Sequence, residues 1–201
     1  MPTPAQTDSG PPAASPLAQA LGFDESDCDL LESLFVESAS GLGVEAGSLF
    51  ARLREGEPVG QALAIPDSAV ALLYARAHAM FRAGRPDKAE GLFRALCVLD
   101  GWSADHWVGY GVCLRMRSAW DEAAVAFASA ARVRPDWAIP RFHALELSVR
   151  REDWTGAAAA LAAFDQRADN AAPSAILAEV ARFRSALALR GARTVEAEAM
   201  P

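Results

Sequence analysis

No stretch of this chain approaches the ~20 consecutive apolar residues that a membrane helix needs, so direct membrane insertion is not expected. Positive charge is also short: 19 Lys and Arg stand against 26 Asp and Glu, for a net charge of −7. A broad basic surface for nucleic acid or anionic lipid is therefore not expected. Cysteine is scarce. Three residues cannot pair completely within one chain, so reduced thiols and a cytoplasmic location are the simplest expectation. The opening "MPTPAQTDSGPPAASP" has neither a cationic start nor an apolar segment, and a secretory signal is not expected there. Runs of alternating apolar and polar residues are missing too, which argues against strands.

What is present is apolar residue at helical spacing, 52% hydrophobic overall. Residues 1–22 are rich in Pro, Ala, Ser and Thr and read as a disordered tail. Residues 23–65 read as an N-terminal helical segment. Ser26 and Asp29 resemble a capping box, and Leu30, Leu31, Leu34 and Phe35 form one apolar stripe, ended by Gly41 and Gly43. A short helix follows at about 45–54, then "REGEPVGQALAIP" (54–66) as a connection. Residues 66–190 read as helices with short joints, and 191–201 as a flexible C-terminus. Asp67 or Ser68 can cap a helix running to Arg82, Gly84 closes it, and Pro86 suits the first turn of the next.

Inside these helices three segments align at a spacing of 34 residues. Ala89, Ala123 and Ala157 correspond, as do Phe93, Phe127 and Leu161, and Leu96, Ala130 and Phe164. Trp107, Tyr110, Gly111 and Leu114, followed by Ala123, Phe127, Ala130 and Pro135, fall on the tetratricopeptide-repeat pattern. The fold class is all-α: a tetratricopeptide-repeat superhelix of three helix pairs with N-terminal helices. "PSAILAEVARFRSALALR" (173–190) supplies an amphipathic capping helix.

Catalytic chemistry finds no support. Cys97, His106 and Cys113 lack the paired ligand spacing of a structural zinc site. Both cysteines sit beside core positions, where free thiols behave as small apolar groups. His78, His106 and His143 fall at different places in three units. No phosphate-binding loop occurs. No enzyme activity and no cofactor or metal is expected.

Two stretches resemble a known family. "LLYARAHAMFRAGRPDKAEGLFRALCVLDGW" (72–102) and "PRFHALE" (140–146) are similar to the class II chaperones of type III secretion translocators. The match includes Leu73, Tyr74, Ala77, Phe81, Gly84, Ala89, Phe93, Leu96, Cys97, Leu99 and Asp100. It also includes Gly109, Gly111 and Cys113, then Phe142, His143, Ala144 and Glu146. His78 stands where the family tends to have an aromatic. The resemblance implies a cytoplasmic bacterial chaperone that binds an extended segment of a hydrophobic translocator in a concave groove and keeps it soluble and export-competent. It also implies a homodimer, when free of client, through N-terminal helices. Here Leu30, Leu31, Leu34 and Phe35 are the expected contact, the alternative being a lid packed on the first repeat. The groove of such an array is lined by the first helix of each unit: Tyr74, His78 and Phe81; Asp105, Val108, Val112 and Arg115; Phe142, Glu146 and Val149. The alternatives are a tetratricopeptide-repeat adaptor and a chaperone of needle subunits, which share the groove but differ in partner.

Overall fold

A computed structural model describes residues 15–21, 24–39, 45–166 and 172–198. The chain divides into two compact units, Met1–Pro66 and Asp67–Pro201. Every regular element among the described residues is helical.

The first unit holds α1 (Pro16–Leu21), α2 (Glu25–Ala39), α3 (Ala46–Arg54) and α4 (Val59–Ala62). Two short helices occur where the sequence predicted none: α1 within the expected tail and α4 within the expected connection. Ser15 caps α1, its hydroxyl accepting from the Ala18 amide at 3.3 Å. The capping box of α2 is also displaced. The Asp24 carboxylate accepts from the Asp27 amide at 2.9 Å and Asp27 accepts from the Asp24 amide at 3.3 Å, so Asp24 and Asp27 replace the expected Ser26 and Asp29. Both pairs have the spacing of a box, and the earlier one coincides with the real start of the helix. Arg54 then ties α3 to α2, pairing with Glu25, with Asp29 at 2.7 Å and with Glu32 at 3.5 Å. Phe50, Ala46, Cys28 and Ala18 are buried. Gly41 and Gly43, the expected stop of α2, lie outside the described residues, as do 1–14 of the tail.

The second unit is a run of helix pairs. These are α5 (Asp67–Arg82) with α6 (Pro86–Leu99), α7 (Ala104–Met116) with α8 (Trp120–Val133), and α9 (Ala138–Arg150) with α10 (Trp154–Asp165). The chain closes with α11 (Ser174–Glu198), which runs on through 191–198, where a flexible end was expected. Each second helix drives a large side chain into the array. Phe93, Leu96, Phe127 and Phe164 are almost wholly buried. In the third pair the bulk moves from Leu161, which is half-buried, to Phe164.

The first helices make room for these rings. A β-carbon at Gly109 would stand 2.4 Å from the Phe93 ring, and one at Gly111 would stand 2.6 Å from that of Phe127. Both distances are far below van der Waals contact, so the "GYG" of α7 is a packing motif between two rings. One unit later the place of Gly109 is taken by His143, whose ring stacks on Phe127 at 5.0 Å. Cys97 and Cys113 lie in the same interior. Burial, with minor help from Asp100 and Glu90 respectively, pushes each thiol up to about 12, which leaves them as unreactive apolar groups.

The turn inside each pair repeats as well. Residue 84, 118 and 152 each take a left-handed conformation, with φ of 72°, 64° and 57°. Each time the next amide reaches back five residues. Arg85 donates to Met80, Ala119 to Leu114 and Asp153 to Ser148, all at 3.0 Å. This is the Schellman closure. Only the first of the three is glycine; Ser118 and Glu152 carry the cost of a β-carbon there. Ser118 and Glu152 are exposed and make no side-chain hydrogen bond or ion pair among the described residues. Ser118→Gly and Glu152→Gly are each expected to raise unfolding stability by up to about 1 kcal/mol, and Gly84→Ala to lower it by about the same. Urea unfolding measures this; a loss of stability on both glycine substitutions would contradict the closure.

Candidate functional site

The first helices α5, α7 and α9 carry the residues that sequence reasoning assigned to a groove. On α5, Tyr74 is half-buried. Its ring meets His78 edge-on at 4.6 Å and Phe93 at 6.1 Å, and tilts over His106 at 5.5 Å. Burial raises the Tyr74 hydroxyl, and the Asp105 carboxylate on α7 adds to the shift. His78 is exposed, yet its ring edge also meets Phe93, at 5.6 Å. Phe81 is half-buried against the same cluster. This end of the face is aromatic and partly open.

His106 is buried beneath it. Its Nδ1 stands 3.2 Å from the Asp100 carbonyl, and the neighbouring Trp107 donates its indole N–H to the Gly101 carbonyl at 2.8 Å. The two residues fasten the turn between α6 and α7. His106 is thus a core residue supporting Tyr74.

Along α7, Asp105 pairs with Arg134 at 2.8 Å. Val108 and Val112 are half-buried, and Val112 packs on the second core cluster. Further on, Arg115 forms an ion pair with Glu146 of α9. Glu146 is a hub. His143 Nδ1 is 3.4 Å from its Oε2, and Arg150 is 3.1 Å from its Oε1. Burial alone would raise this carboxyl. The His143 hydrogen bond, the Arg115 charge and the Arg150 contact outweigh it and hold the carboxyl down at about 2. Phe142 and Val149, on the same helix, are half-buried against the third cluster.

Two of the expected groove residues, Arg115 and Glu146, therefore meet each other, while the aromatic set lies on α5. His143 and Arg150 were not assigned to the site. Their signal was legible: three- and four-residue spacings from Glu146 place all three on one helix face. The 31-residue separation of Arg115 from Glu146 carries no such local signal.

In the first unit, Leu30 and Leu34 of α2 are 60% and 52% exposed. Leu31 is half-buried, and the Phe35 side chain lies outside the described residues. Among the described residues no three of His, Cys, Asp and Glu gather as a metal site. No helix there is long and apolar enough to cross a membrane.

Residues 70–113 match the tetratricopeptide repeat family. The chaperone protein SicA of Salmonella dublin is 30% identical over 76 residues, 38% of this chain and 46% of SicA. The chain thus spans about half the length of the curated relatives it matches. Among solved structures, PcrH of Pseudomonas aeruginosa in complex with the chaperone-binding region of PopD is 27% identical. That match covers 65% of this chain and 96% of PcrH with a TM-score of 0.56. The Yersinia enterocolitica type III secretion chaperone SycD, in complex with a peptide of the translocator YopD, is 23% identical. It covers 63% and 98% with a TM-score of 0.60. Residues 70–113 thus carry a tetratricopeptide repeat, and the chain resembles SicA and PcrH in sequence and PcrH and SycD in fold.

Proposed function

We propose that this protein is a cytoplasmic chaperone of a type III secretion translocator. It holds an extended segment of that hydrophobic client on the first-helix face of α5, α7 and α9. The observation that carries the reading is the match to PcrH bound to the chaperone-binding region of PopD, which spans nearly all of PcrH. The face itself supports it. Half-open Tyr74, Phe81, Val108, Val112 and Phe142 offer spaced apolar contacts, and an extended peptide presents anchors at alternate residues. A client with membrane-spanning segments aggregates in water, and occupying part of it on such a face needs no nucleotide. Release then falls to another component, and the chain acts by binding, with no catalytic step.

A second part of the proposal concerns association. The exposed leucines of α2, Leu30 and Leu34, form a stripe that joins two client-free copies, with Leu31 and Phe35 on the same turns. A short amphipathic helix gains most of its stability from an apolar partner.

Two outcomes are expected. Tyr74→Glu and Phe81→Glu each weaken binding of the co-expressed translocator by roughly tenfold or more, with the far-ultraviolet circular dichroism unchanged. Undiminished co-purification with both variants would remove these residues from the site. Leu30→Glu combined with Leu34→Glu halves the mass measured by light scattering, and an unaltered mass ends the assignment of α2 to a dimer.

A further inference from the structure

Arg115 makes an ion pair but no side-chain hydrogen bond among the described residues. Its Nη1 is buried against Glu146 as an ion pair and has no hydrogen-bond partner among the described residues. Nε and Nη2 carry no hydrogen bond among the described residues, and neither is fully buried. That pair of donors is the edge of a guanidinium group that grips a carboxylate in bidentate fashion.

The surrounding charge does not close. One carboxylate, Glu146, faces two guanidinium groups, Arg115 and Arg150. The side chains of Arg115 and Glu146 keep only 17% and 13% of their exposure. The surplus positive charge is that of Arg150, whose side chain is 57% exposed beside this largely buried pair, and it favours an incoming anion. The acidic group further along α7 cannot supply it, because Asp105 is committed to Arg134. Apolar positions flank the site: Val112 lies one turn before Arg115 on α7 and Phe142 one turn before Glu146 on α9, both half-buried.

We propose that Arg115 is an anion-accepting, specificity-determining position of the groove. Its unpaired Nε and Nη2 edge takes an Asp or Glu carboxylate of the client segment, beside an apolar anchor. The proposal rests on the chaperone reading above and names the client chemistry it selects. Glu146 holds the guanidinium in place from the other side, so the arginine is presented already oriented and loses little further freedom on binding.

The test needs no knowledge of the client. A random peptide library displayed on phage is panned against the full chain, against Arg115→Gln and against Arg115→Lys. Wild type is expected to enrich peptides with an acidic residue next to an apolar one. Arg115→Gln keeps the apolar anchors and loses the acidic residue, while Arg115→Lys retains part of the preference. For a synthetic peptide from the wild-type pool, changing its carboxylate to the amide costs roughly tenfold to a hundredfold in affinity. Arg115→Gln costs about the same, and the two losses do not add. Glu146 keeps Arg150 and His143 in that variant. Were Arg115→Gln nonetheless unfolded, the acid-to-amide comparison on wild type decides alone.

Absence of acidic enrichment overturns the proposal, as do losses that add. An Arg115→Gln loss that ignores the peptide's carboxylate overturns it too, since the arginine then meets a neutral carbonyl. Peptides that lack apolar anchors, or that bind Tyr74→Glu unchanged, remove the groove reading and this proposal with it.

Discussion

The array depends on the fit between a ring on each second helix and a small or flat residue on the first helices that embrace it. Phe93 and Phe127 are both essentially without solvent exposure. Gly109 and Gly111 lie against them from one helix, two residues apart and against different rings. An α-helix turns about 100° per residue, so two positions apart point to nearly opposite sides. That is why α7 can pack forward onto its own partner and backward onto the preceding pair. The third pair solves the same problem differently, with His143 stacked on Phe127 and the bulk shifted to Phe164. Interiors are packed as tightly as organic crystals, so this fit sets how closely the helices approach.

What the packing consumes on one side it frees on the other. The buried phenylalanine rings of the array belong to α6, α8 and α10, and the first helices keep half-open aromatic and aliphatic residues. Tyr74 illustrates the coupling. Its edge meets Phe93 inside the core, and its hydroxyl feels Asp105 on the next first helix. Further along, the Glu146 hub fixes α7 against α9. Its burial is opposed by three nitrogen-bearing partners, which together keep the carboxylate charged down to about pH 2. An ion pair of this kind contributes registration between neighbouring helices more than net stability, because desolvation offsets much of the attraction.

The sequence was most legible where one residue type has one use. The 34-residue coincidence of Phe93 with Phe127 gave the pairs, and α5 ends at Arg82 as expected, although it begins with Asp67, which was expected, with Ser68, as a candidate cap. Proline and glycine punctuation did the same for α6. Legibility failed where two candidates satisfied one rule, as with Ser26–Asp29 and Asp24–Asp27, both spaced for a capping box. It failed again where the signal was too short to build a periodicity, as in α1 and α4. The left-handed turns at Ser118 and Glu152 were hidden because the residue types do not announce them; only Gly84 did. Which residues share a first-helix face can be read from period alone. That Arg115 and Glu146 meet depends on how two helices cross, and no local spacing encodes it.

The central claim is that a client segment lies on the first-helix face. Site-specific photo-crosslinking in the presence of the co-expressed translocator tests it most directly, with a benzophenone side chain placed at Val108 of α7 or at Val125 of α8. Val125 is 65% exposed on a second helix and so is the more accessible of the two. The account expects a crosslink to the translocator from position 108 and none from position 125. Crosslinking from 125 with silence at 108 would contradict it.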